Sequence, residues 1–153
     1  MKKAMFFENA KLLYDRFGIV PLMYGSLGLE YITNENLNAD DIDILISEIF
    51  ITDRWNEFKD FLISEGYVLV DEHEHTFVRD GVVYSYADIE DLEPFAGINT
   101  EDIEMHEADG VRFLLLSLEQ YLAVYRQSSK DGYRVNVRQK KDADKIRFIE
   151  SKL

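Results

Sequence analysis

Cysteine is absent from the 153 residues, which removes disulfides, thiolate metal sites and cysteine nucleophiles together. That absence is compatible with a reducing compartment and leaves stability to packing. Long hydrophobic runs are also missing: none approaches the roughly 18 apolar residues of a membrane span, so no membrane partner is expected. The segment Met1 to Glu8 turns acidic before a signal-peptide core can form, and a cytoplasmic protein is expected. No repeat or low-complexity linker interrupts the chain. Positive charge is scarce, with 17 Lys and Arg against 30 Asp and Glu for a net charge of −13. A polynucleotide partner is therefore disfavoured, because nucleic-acid binders gain affinity by replacing counterions with basic side chains. A small anionic substrate stays open, since a divalent metal on a carboxylate pair reverses the local field. Several of the basic residues lie between Arg126 and Lys152, a segment that could face an anion. What is plentiful is apolar material, 46% of the chain, enough for the core of one domain spanning residues 1–153.

Periodicity divides the chain into alternating helices and strands. Met5, Phe6, Ala10, Leu12, Leu13 and Phe17 fall at near-helical spacing before Gly18. Ile19 to Tyr24 is too short and apolar for a helix and reads as a strand, with Pro21 pointing to an early-strand or an edge position. Gly25-Ser26 ends it, and a short helix begins at Leu27 before the polar loop Thr33 to Asp40. Asp41 to Ile46 alternates, so on a strand Asp41 and Asp43 share one face and Ile42, Ile44 and Ile46 the other. Asp53 to Glu65 reads as an amphipathic helix closed by Gly66, with a strand from Tyr67 to Val70. Asp80-Gly81 and Asp109-Gly110 each sit between two strand-like runs and predict hairpins. Ser117 caps a helix reaching about Arg126, and Lys140 to Ile149 forms the last one.

The chemistry concentrates in two places. Gly25 lets the backbone turn tightly and approach a phosphate, while Ser26 adds a hydroxyl at a helix N-terminus. Asp41 and Asp43, on the adjoining strand, have the spacing and hardness to hold Mg²⁺. Transfer of a nucleotide needs both parts: an anchor for phosphates and carboxylates that hold metal against them.

Tyr24-Gly25-Ser26, a 14-residue interval, and Asp41-Ile42-Asp43-Ile44-Leu45 together resemble the hydrophobic-Gly-Ser … Asp-x-Asp signature of the nucleotidyltransferase superfamily. The resemblance covers about residues 19 to 46. It implies an α+β fold with a nucleotidyltransferase-like mixed β-sheet and flanking helices. It also implies Mg²⁺ and a nucleoside triphosphate, because small bacterial members transfer a nucleoside monophosphate to a hydroxyl on a small molecule or a protein. The acceptor here is unknown. Leu116-Ser117-Leu118-Glu119 and Arg138-Gln139-Lys140-Lys141-Asp142 resemble a later passage of nucleotidyltransferase-like bacterial proteins, which makes Lys130, Arg138 and Lys141 candidates for triphosphate contacts.

The chain departs from that pattern in two respects. Active members place a third carboxylate on a later strand, whereas Val82-Val83-Tyr84-Ser85-Tyr86 contains none; Asp88, just beyond, either faces the aspartate pair or caps the following turn. The basic residue often found shortly after Gly-Ser is replaced by Leu27-Gly28-Leu29-Glu30. A catalytically silent nucleotide-binding or protein-interaction module of the same fold is thus the alternative, its acidic surface suited to a basic protein partner. Other features have plain readings beside functional ones. His73 and His75 share a strand face with no third ligand in view, and a solvated hairpin edge is favoured over a metal site. The acidic run Asp88 to Glu93 reads, Asp88 apart, as a solvated loop. Tyr84 and Tyr86 either stack on a nucleobase or pack in the core, with packing favoured. Lys140 and Lys141 contact phosphate or form the wet face of the last helix.

Overall fold

The computed structural model describes the backbone of residues 1–130 and 136–153 and the side chains of residues 1–130 and 141–153. Among the described residues, six α-helices, α1 (Lys2–Phe17), α2 (Gly25–Thr33), α3 (Trp55–Ser64), α4 (Leu92–Ala96), α5 (Leu118–Ser129) and α6 (Asn136–Lys152), flank a mixed sheet. Its strands are β1 (Leu22–Tyr24), β2 (Ile42–Ile46), β3 (Val68–Asp71), β4 (Thr76–Arg79), β5 (Val82–Asp88), β6 (Glu104–Ala108) and β7 (Val111–Leu115). They lie in the order β3-β4-β5-β2-β1-β7-β6. The fold is α+β. None of the helices among the described residues is long and apolar enough to cross a membrane.

The two Asp-Gly turns form as their residues predict, Asp80-Gly81 joining β4 to β5 and Asp109-Gly110 joining β6 to β7, with φ positive at both residues of each turn. These hairpins occupy the two wings of the sheet. Between them β2 pairs in parallel with β5 and antiparallel with β1, and β1 pairs in parallel with β7. Of the two positions Pro21 suggested for the first strand, the early one holds and the edge one does not. Pro21 lies just before β1, where its missing N–H costs no ladder bond, and its carbonyl accepts from the Leu114 N–H at 2.8 Å.

The period-two alternation of β2 sorts its side chains between two cores. Ile42, Ile44 and Ile46 join Phe6, Leu13, Phe58 and Phe113 beneath α1 and α3, whereas Leu45 joins Leu22, Tyr121 and Ile149 beneath α5 and α6. Tyr84 and Tyr86 of β5, each 1% exposed, belong to the first core. Burial pushes both phenols above the ordinary tyrosine range, so they are packing residues and present no ring to a ligand. α5 starts at a complete capping box, the Ser117 hydroxyl accepting from the Gln120 N–H and the Gln120 amide oxygen from the Ser117 N–H.

α2 and α5 meet at Gly28. A methyl group there would overlap the Tyr121 hydroxyl and the Met23 carbonyl oxygen. The position demands glycine for reasons of space, and backbone at Met23 cannot retreat without disturbing β1. Gly28→Ala is expected to cost about 1–3 kcal/mol by overpacking and to lower the Tm by roughly 5 °C; an unchanged melting curve by circular dichroism would contradict this packing.

Candidate functional site

β1 and β2 run antiparallel with Tyr24 opposite Asp43, so the turn that leaves β1 is delivered directly onto the Asp43 side chain. Gly25 makes that turn at φ +61°. A Cβ at this residue would run into the Asp43 carboxylate and come within 3.2 Å of the Asp43 Cβ, so backbone and acid touch with nothing between them. The Gly25 carbonyl accepts from the Tyr121 hydroxyl at 3.0 Å. Burial holds that phenol far above its usual range, with Tyr125 the next cause, and the hydroxyl stays a donor.

Ser26 stands in the first turn of α2, where free backbone N–H groups and the helix dipole favour an anion. Its hydroxyl accepts from Lys145 Nζ at 3.1 Å. Lys145 is half-buried on α6, and burial pushes its ammonium below the ordinary lysine range, opposed by the carboxylate of Glu30. Glu30 has a second task. Its Oε1 accepts from the Leu37 N–H at 2.9 Å and from the Ala39 N–H at 3.0 Å, clamping the loop between α2 and β2 just before Asp41. One turn earlier on α6, the buried Asp142 carboxylate accepts from Ser128 Oγ at 2.8 Å, which ties α6 to α5.

These elements enclose a cavity of about 480 Å³ whose walls include Gly25, Ser26, Asp41, Asp43, Lys141 and Lys145. A neighbouring cavity of about 320 Å³ shares Gly25, Asp43 and Tyr125 with it and is otherwise lined by apolar and aromatic residues and by Ser85 and Ser128. The structure thus gathers Gly25, Ser26, Asp41, Asp43 and Lys141 into one place. Asp41 lies just ahead of β2 and is exposed, while Asp43 is half-buried.

Asp88 takes the capping role and does not join the pair. Asp43 pairs with Ser85 and Ile46 with Asp88 in the parallel β2/β5 ladder, so Asp88 is three residues further along and on the opposite face of the sheet from Ser85. Its Oδ1 accepts from the Glu90 N–H at 2.8 Å. The side chain opposite Asp43 is Ser85, a hydroxyl that hydrogen-bonds to Thr76 at 3.3 Å. Lys130 is the exposed residue that caps the C-terminus of α5 and lines neither cavity. The side chain of Arg138 lies outside the described residues. Among the described residues, no group of three or more His, Asp or Glu is placed to hold a metal ion. His75 packs edge-on against Trp55 at 4.7 Å, and Glu72 accepts from Trp55 Nε1 and Lys59 Nζ. Asp41 and Asp43 nevertheless suit Mg²⁺, which keeps several waters and is commonly held by one or two carboxylates together with substrate phosphates.

Lys145, Glu30 and Tyr125 were not singled out by the motifs. A signal for Lys145 existed: Lys141 and Lys145 stand four apart and therefore share a helix face.

Two outcomes follow from this arrangement. Glu30→Leu leaves the Leu37 and Ala39 N–H groups without their acceptor, and a loss of about 1–3 kcal/mol is expected in urea unfolding; a wild-type midpoint would refute the clamp. Lys145 has a folded pKa below its unfolded value of 10.5, so the unfolded chain binds more protons in the interval between them. Wild-type stability relative to Lys145→Met is expected to rise with pH through that interval and to be smallest at neutral pH. Parallel stability profiles for the two proteins from pH 7 to pH 10.5 would show the ammonium to be no more costly in the fold than in water.

None of the family models searched matches the chain. It is 38% identical over 144 residues to a Bacillus subtilis (strain 168) protein, YnaI, described as uncharacterized, the match covering 94% of this chain and 92% of that one.

Proposed function

The chain belongs to one family with the Bacillus subtilis protein YnaI, and on that premise we propose that it is a nucleotidyltransferase-like protein binding a nucleoside triphosphate with Mg²⁺ between α2, β2 and α6. The observation that carries the reading is the junction of Gly25 with Asp43, with Lys145 bonded to Ser26 beside it. In this reading the first turn of α2, the Ser26 hydroxyl and the ammoniums of Lys141 and Lys145 take the terminal phosphates. Lys145 is already half-buried and bonded to Ser26, which limits the reorganisation that accompanies binding. Asp41 and Asp43 hold Mg²⁺, which would neutralise phosphate charge and polarise the α-phosphorus.

Transfer then consists of attack by an acceptor hydroxyl of a small molecule or protein on the α-phosphorus. The new P–O bond forms as the bond to the β-phosphate oxygen breaks, and pyrophosphate leaves. Ser85 stands where β5 faces Asp43 and offers no carboxylate base, so the hydroxyl proton is released to solvent, to a group brought by the acceptor, or to another carboxylate of the cavity, Asp40, Asp142 or Asp144. Ser85 in that place favours a second reading, a module of this fold that binds the nucleotide without turnover. Its net charge of −13 suits a small or protein acceptor better than a polynucleotide, and the substrates place it in the cytoplasm.

Titration calorimetry with nucleoside triphosphate and Mg²⁺ tests the reading. Binding is expected for the wild type, with a loss of at least about tenfold in affinity for Asp43→Ala or Lys145→Met, since each removes a charged contact to phosphate or metal. Absence of binding to every nucleoside triphosphate in the presence of Mg²⁺ would end it. Pyrophosphate release in the presence of candidate acceptors separates the two readings, because the silent module binds and releases none.

A further inference from the structure

We infer that Glu30 is a positioning residue for the phosphate site, its one carboxylate supporting both the Lys145 cation and the loop that leads to Asp41. This rests on the reading of the cavity between α2, β2 and α6 as that site.

Ser26 and Glu30 stand four apart on α2 and so share a helix face. Lys145 donates to Ser26 at 3.1 Å, which sets its ammonium against that same face. Glu30 is buried, so its charge acts through protein more than through water and is little screened. Burial pulls the Lys145 ammonium below the ordinary lysine range and the field of Glu30 opposes it. The other described charged groups of the cavity are Asp43 on β2, Asp40 and Asp41 just before it, and Lys141, Asp142 and Asp144 on α6 itself. Of the described groups, Glu30 is the one whose field acts on Lys145.

The same carboxylate holds the loop. Its Oε1 accepts from the Leu37 and Ala39 N–H groups, on either side of Asn38, which stands in the left-handed region at φ +55°. Asp41 follows two residues after Ala39. Cation and metal-facing acid are thus referred to one buried group.

Charge and clamp separate under substitution. Glu30→Gln keeps an oxygen for the two N–H groups and removes the charge, whereas Glu30→Leu removes both. With Glu30→Gln, a phosphate ligand meets one negative charge fewer at neutral pH, where Lys145 is protonated. Lys145 then loses its proton at a lower pH than in the wild type. Affinity is therefore expected to cross over, equal to or above wild type at neutral pH and below it at alkaline pH. A side chain that only held the loop would give no such crossover, because the amide keeps the clamp.

Two readouts on the full chain test this. Titration calorimetry with inorganic tripolyphosphate and Mg²⁺ compares Glu30→Gln with wild type at about pH 7 and about pH 9.5; the ligand's own titration cancels in the ratio of affinities. That ratio is expected to fall about threefold or more between the two conditions. NMR of isotope-labelled lysine side chains follows the titration of Lys145 with no ligand present, and its midpoint is expected to lie lower in Glu30→Gln than in wild type. An unmoved midpoint overturns the inference, and so does a level affinity ratio; in either case tripolyphosphate binding by the wild type leaves the phosphate site standing. A wild type that binds no tripolyphosphate at either pH ends the phosphate site, and the role of Glu30 in it ends too.

Discussion

The constraint on which the cleft depends is the approach of the Gly25 backbone to the Asp43 side chain, where no Cβ fits. Antiparallel pairing of β1 with β2 places Tyr24 against Asp43, and the chain must then turn at once to start α2. Only a residue that tolerates positive φ and carries no side chain can do so here. Everything else in the cleft refers to this point. Tyr121 fixes the carbonyl side of the turn, Lys145 the hydroxyl that follows it, and Glu30 the loop that returns the chain to β2.

The site is built on charge held under tension. A half-buried ammonium is retained although burial lowers its pKa, and the carboxylate that supports it is itself 8% exposed and occupied by two backbone donors. A fold shaped only for stability would place an apolar side chain at Lys145, because removing a charge from water is costly unless it is well paired. What offsets that cost in the fold is the bond to Ser26 and the field of Glu30. Among the described residues the adjoining cavity is lined by aromatic and apolar side chains with Ser85 and Ser128, and Asp43 borders both cavities.

Much of the fold was legible because its signals are local. The Asp-Gly turns, the Ser117 cap and the alternation around Ile42, Ile44 and Ile46 each depend on a few neighbouring residues. Gly25, Ser26, Asp41 and Asp43 were found for the same reason, each pair belonging to one short motif. Asp88 was harder, because its orientation depends on how far β5 extends and on its register with β2. Once the strand runs to Asp88, parity turns that side chain away from Asp43 and gives Ser85 the facing position. Lys130 and Lys145 could not be told apart by charge. The end of one helix and the face of another decide between them, and that face is set by contacts between segments remote in sequence.

Ser26 and Lys145 lie 119 positions apart, and that separation has a kinetic meaning. Synthesis delivers β1, α2 and β2, the glycine turn and both aspartates, while α6, which brings Lys141, Asp142, Asp144 and Lys145 to the cavity, is still unmade. Loop-closure entropy must be met before contacts of this range can form. A nascent chain thus carries the glycine turn and both aspartates without their partner helix until α6 docks against α5. The bond between Lys145 and Ser26 would report that the last helix has found its place.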